Sequence, residues 1–228
     1  MRRLDFLLRL NEKWRKKIDH DWPPSENKIS RREATTEQLN EFKYLIKHRA
    51  GETEIHEFLE ENSVIFGFAL RDYGTGHHGL WVHSKQVIQS RIKNRNVRGL
   101  IPDFIIGGEN SNGHQWFVVE LKGANEDIFT IKADSIYLSS IANKGLCQLI
   151  EYADACSEIQ SHLRDHFRMH DFREPKGILL IGTEDEFRDK RKQRMARALN
   201  KRFAKDVEIR TFNWLLRNFE EEMKYLND

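Results

Sequence analysis

The sequence predicts an α/β domain with a mixed central sheet flanked by helices. Three observations point there. Residues 101–106 and 116–122 are rich in β-branched and aromatic residues and flank the turn-forming cluster 107–113, so they read as a hairpin. Residues 177–182, Gly-Ile-Leu-Leu-Ile-Gly, form a continuous apolar run, the mark of a strand buried on both faces. The segments around them have helical apolar spacing, and the chain closes in the order helix, strand, helix, strand, helix.

The elements follow in order. Leu4, Leu7, Leu8 and Trp14 predict an amphipathic helix over 4–17, broken by Trp22-Pro23-Pro24. Thr35 to Gln38 is a capping box for a helix through Lys47, which Ala50-Gly51 ends. A helix from Thr53 to Glu61 buries Ile55, Phe58 and Leu59. Residues 62–68 are expected to enter the sheet region. Residues 71–79 form a glycine-rich loop without the Lys-Ser/Thr end of a P-loop, and His77 and His78 read as surface histidines. A short strand over 79–83 precedes the hairpin. After Lys122 the chain is expected to wander to about 138. A long helix over 139–162 follows, with Leu146, Leu149, Ile150 and Ala153 as its apolar stripe. Thr183 to Glu186 reads as a capping box for a basic helix over 185–203, with Phe187, Met195, Leu199 and Phe203 inside. Residues 207–212 alternate as a half-buried strand, and a helix using Trp214, Leu215, Phe219 and Leu226 ends the chain.

At 228 residues, 39% hydrophobic and 32% charged, the composition is that of a soluble globular protein with one good core. No apolar run approaches the ~20 residues of a membrane span, and the start is too charged for a secretory signal. Cys147 and Cys156 lie nine apart on one predicted helix, too far to bridge, which suits a reducing cytoplasm. A net charge of +2 hides an uneven distribution. Lys85, Arg91, Lys93, Arg95 and Arg98 occupy a stretch without acids, and residues 188–205 carry Lys190, Arg191, Arg194 and six more cations against Asp189 alone. Two such faces attract phosphate backbones; a solvated helix face is the alternative.

The hairpin carries charges where a buried strand should carry none. Asp103 stands at the mouth of its first strand, and Glu120 and Lys122 lie two apart on the second, so they share a face. Two carboxylates and the backbone carbonyl of Leu121 offer hard oxygens to Mg²⁺ or Mn²⁺. A divalent cation acidifies its water, and a lysine beside it can orient the nucleophile and steady transition-state charge. A phosphodiester is the substrate best matched to that set. Of the acids on the 53–61 helix, Glu54 borders the buried stripe and is the one expected to turn inward; full solvation of all of them is the alternative. Gln148 and Tyr152, one turn apart, face either solvent or a polar cleft.

Pro102-Asp103, a sixteen-residue gap and Glu120-Leu121-Lys122 resemble the PD-(D/E)XK nuclease superfamily. With Glu54 before the core and Gln148-x-x-x-Tyr152 after it, the combination looks most like the Shedu family of bacterial anti-phage defence proteins, over residues 50–228. That resemblance implies a restriction-endonuclease-like core over 51–228 with a short helical extension over 1–50. It implies Mg²⁺-dependent DNA cleavage, often in a homo-oligomer, with no small-molecule cofactor and no membrane partner. It assigns Asp103, Glu120 and Lys122 as catalytic, Glu54 as an added metal-side acid, and Gln148 and Tyr152 as supporting residues. The competing reading is a non-cleaving nucleic-acid-binding or regulatory module on the same fold.

Overall fold

A computed structural model describes residues 22–88, 99–203 and 205–226. The expected helix over 4–17 and the cations Arg91, Lys93, Arg95 and Arg98 lie outside the described residues.

The centre is a five-stranded mixed sheet in the order β1-β2-β3-β6-β7. Strands β1 (Gly79–Ser84), β2 (Phe104–Asn110) and β3 (Gly113–Leu121) pair antiparallel, and β6 (Lys176–Leu180) and β7 (Val207–Arg210) add parallel to β3. Side chains alternate across β3, and each face has its own core. Phe117, Val119 and Leu121 face α1 (Thr36–Lys47), α2 (Glu52–Glu61), α3 (Phe66–Ala69) and α7 (Phe212–Leu226). Trp116 and Val118 face the other layer, where α4 (Ser140–Glu158), α5 (Gln160–His166) and α6 (Lys190–Phe203) lie with a small hairpin of β4 (Phe129–Lys132) and β5 (Ser135–Leu138).

The capping box at Thr35 forms, with both reciprocal bonds to Gln38. Helix α1 buries Leu39, Phe42, Leu45 and Ile46 in the same core as α2, so the boundary expected at residue 50 falls between two helices that pack together.

Several expectations change. Residues 62–68 are short helical turns rather than sheet, with Val64 to Ala69 buried. The glycines of 107–113 do not all turn: β2 runs to Asn110 and β3 starts at Gly113. Gly107 is strand because the Trp116 ring lies where its β-carbon would be; the turn uses Gly113, at φ +101°. The stretch before residue 138 holds the β4–β5 hairpin. The long helix breaks at Ile159 into α4 and α5. Its buried face includes Tyr152 and Cys156, leaving Ile150 48% exposed. Thr183 makes no side-chain cap, and Glu186 instead accepts the N–H groups of Ile128 and Phe129. Among the described residues no helix is long and apolar enough to cross a membrane.

Candidate active site

The site lies at the end of β3, where helices from both layers converge. Glu120 faces the α4 layer and is buried, as is Lys122, the first residue past the strand. The Lys122 Nζ donates to Glu120 Oε1 at 2.8 Å. Its stem passes beneath Gly145 of α4, where an added β-carbon would lie 3.5 Å from Lys122 Cε and collide with Leu179. A glycine there lets α4 close over the lysine.

Asp103 forms a bend just before β2. Phe104 pairs with Val119, so the next position of the antiparallel register sets Asp103 across from Glu120. Lys122 N–H donates to Leu180 on β6, so the N–H and C=O of Leu121 point to the opposite edge, where β2 has ended. Asp103 Oδ2 accepts that Leu121 N–H at 2.8 Å. The aspartate thus takes the place of a missing strand partner, and the Leu121 carbonyl faces its side of the sheet.

The helical acid in contact with this group is Glu52. Its Oε1 lies 3.5 Å from Lys122 Nζ. Gly123, whose β-carbon would sit 3.1 Å from the Glu52 nitrogen, lets the start of α2 come this close. His56 is buried one turn on, with Nε2 4.0 Å from Asp103 Oδ1, and Glu60 one turn further, 3.7 Å from His56 Nδ1. Glu52, His56 and Glu60 therefore run i, i+4, i+8 along one face of α2. Glu54, two residues from Glu52 and ~200° around the helix, is exposed and pairs with none of them. The i, i+4, i+8 line of Glu52, His56 and Glu60 is readable from spacing, but which face of α2 meets the strand end is set by the close approach at Gly123.

Of the Gln148–Tyr152 pair, Tyr152 reaches the segment that presents Asp103. Tyr152 is buried and its hydroxyl donates to the Ile101 carbonyl at 3.4 Å. Gln148 lies between Gly145 and Tyr152 on α4, with a buried Oε1 that has no hydrogen-bond partner.

Charge is unevenly tolerated here. Burial, then the Asp103 charge, push the Glu120 carboxyl up to about 7, against the pull of Lys122. Burial works to lower the Lys122 pKa, but the Glu120 bond and the Glu120, Glu52 and Asp103 charges outweigh it, and the net direction is up. The lysine is a firm cation, and the glutamate is poised between forms.

Among the described residues no three His, Cys, Asp or Glu side chains gather closely enough to hold a metal ion. The donors present are two carboxylates and the Leu121 carbonyl. That set suits Mg²⁺, which commonly takes one or two carboxylates and keeps several waters.

Lys190, Arg191 and Arg194 lie on α6, a helix with seven cations, no acid and no buried residue. Arg191 pairs with Asp189 and Lys192 with Glu186. Arg194, Arg197, Lys201 and Arg202 are exposed.

The family model described as Shedu protein SduA, C-terminal, matches residues 49–216, well over half of the chain. No curated protein matches it.

Proposed function

Because the chain belongs to the family of the Shedu protein SduA C-terminal domain, we propose that it is a metal-dependent DNA endonuclease of bacterial anti-phage defence. In this reading the sheet and its two helical layers are a restriction-endonuclease-like core. The observation that carries the proposal is the meeting of Asp103, Glu120 and Lys122 at the end of β3.

Asp103, Glu120 and the Leu121 carbonyl would hold Mg²⁺ or Mn²⁺. A bound cation neutralises phosphate charge and activates water. The chain's own groups do the rest. Lys122 keeps its proton, so Nζ donates to the reacting phosphate and balances the charge that develops there. Glu52 and Glu120 aim the ammonium from two sides. The Leu121 N–H fixes Asp103, and the buried His56 ring packs beside it. Tyr152 holds the Ile101 segment in place, and α6 contributes Lys190, Arg191 and Arg194 to the DNA backbone, joined in sequence by the 85–98 cations.

The non-cleaving reading draws on one observation: Lys122 already satisfies Glu120 Oε1. Incubation with plasmid and linear DNA, with and without Mg²⁺ or Mn²⁺, separates the two. The parent is expected to cleave only with metal, and Lys122→Ala not at all. Equal cleavage by both defeats the catalytic assignment, and salt-sensitive binding without cleavage supports the non-cleaving module.

A further inference from the structure

Beyond the acidic centre, a cleft opens under the β4–β5 hairpin. It has a volume of ≈ 760 Å³ and is lined on one side by Thr130, Lys132 and Tyr137, on the other by Asn125–Asp127 and the start of α4. The cleft begins three residues after Lys122 and is continuous in chain with the catalytic strand. Its volume falls in the range of small-ligand sites.

The hairpin is built to present one face. Phe129, Ile136 and Leu138 turn into the α4–α6 layer. Thr130 pairs with Tyr137, and Lys132 with Ser135, so Thr130, Lys132 and Tyr137 share the other face. The Tyr137 ring is 53% exposed. The base of the hairpin is clamped from behind: Glu186 accepts the Ile128 and Phe129 N–H groups at 2.8 Å, and Lys192 binds both Glu186 and the Phe129 carbonyl. The tip turns through Ala133 and Asp134, both at positive φ (46° and 64°). An alanine in that region costs about 1–2 kcal/mol. A strained turn and a clamped base thus hold an aromatic ring open to solvent.

We infer that this cleft takes an unpaired nucleobase of the substrate strand, stacked on Tyr137, with an adjoining phosphate at Lys132. The inference rests on the nuclease reading of the neighbouring site. An aromatic face accepts any base, and a lysine at the rim meets the phosphate. Of the two acids in the cleft, Asp127 is paired with Arg49 at 3.2 Å. Glu126 also lines the cleft, and its charge disfavours a phosphate placed beside it rather than at Lys132.

The test uses the full chain, Ca²⁺ in place of Mg²⁺ to hold turnover, and a single-stranded DNA 12-mer carrying one 2-aminopurine. Base stacking quenches that fluorophore. The parent and Tyr137→Phe are expected to quench it and bind alike. Tyr137→Ala is expected to lose the quench and bind about tenfold more weakly, the size of one lost stack. Tyr44→Ala, at a 59% exposed ring on α1, is the control expected to match the parent. If Tyr137→Ala binds and quenches like a parent that cleaves DNA, this inference is overturned and the nuclease reading stands. If the parent neither binds nor cleaves DNA of any form, both fall. Thermal unfolding of Tyr137→Ala at the parental temperature confirms that the fold is intact.

Discussion

Lys122 reaches back to Glu120 along its own strand, Nζ to Oε1 at 2.8 Å, with both side chains almost wholly buried. The pair lies in the interior layer of the sheet yet opens toward Glu52, which is half exposed. A buried ion pair is weak evidence for stability, because desolvation offsets most of the attraction. Its location at a strand end beside a third carboxylate is what a site for charge would need.

Asp103 has a structural duty separable from any catalytic one. Asp103→Asn keeps an acceptor for the Leu121 N–H and is expected to unfold near the parental midpoint while losing DNA cleavage. Asp103→Ala leaves that N–H unsatisfied and is expected to cost about 1–3 kcal/mol. Urea unfolding with cleavage assays on both variants reads the difference. Equal stability of the two would mean that the bond to Leu121 carries no weight.

The helical acid can be settled by a pair of variants. Glu52→Gln removes a carboxylate from Lys122 and is expected to slow cleavage by about tenfold or more, of the order of a lost charged contact. Glu54→Gln, at an exposed position without a partner, is expected to stay within about twofold. The reverse order would return the role to Glu54.

Two buried groups give opposite pH slopes without metal. The Glu120 pKa is raised from 4.5 to about 7, so between those values the native state holds a proton the unfolded chain has lost. Its contribution is full below pH 4.5 and is lost as pH rises toward 7, roughly 3 kcal/mol in all. His83, buried against Trp22 at 4.1 Å, is lowered from 6.5 to about 4 by burial. Its contribution is full above pH 6.5 and is lost as pH falls toward 4, by a similar amount. The two nearly cancel in the parent. Denaturation across pH 4–8 in EDTA is therefore expected to show a falling curve with rising pH for His83→Phe, and a rising one for Glu120→Gln. Parallel curves for all three proteins would contradict both assignments.

Helix α6 is expected to contact phosphates without reading sequence. Neutralisation in Arg194→Gln should weaken DNA binding evenly across sequences and lower the salt slope by about one. Binding isotherms at several salt concentrations measure it. An unchanged slope would make α6 a solvated face.

The frame was legible wherever a single periodicity ruled. The Thr35 cap and the Ile55-Phe58-Leu59 stripe emerged as read, and the strand read over 177–182 emerged as Lys176–Leu180. Misreadings arose where two signals competed. Glycines 107 and 108 read as turn because their role, making room for Trp116 and for Thr75, is a long-range one. The β4–β5 hairpin was missed because Ala133-Asp134 carries no glycine, and the strain is held by Glu186 from a distant segment. Glu186 in turn read as a helix cap because its true partners lie 57 and 58 residues away. At the site, Asp103, Glu120 and Lys122 were visible from strand parity, whereas Glu52 required knowing which face of α2 meets Gly123.

The two outer strands of the sheet are already engaged. On β7 the Asn200 side chain bonds both the N–H and the C=O of Ile209, at 2.9 Å each. On β1, Ile29 N–H takes the Leu80 carbonyl and Asn27 takes that of Val82. The backbone rows on which a neighbouring chain would template itself are spoken for at those points. Edge-to-edge pairing of the main sheet with another strand is therefore blocked at those points without a proline in either edge strand.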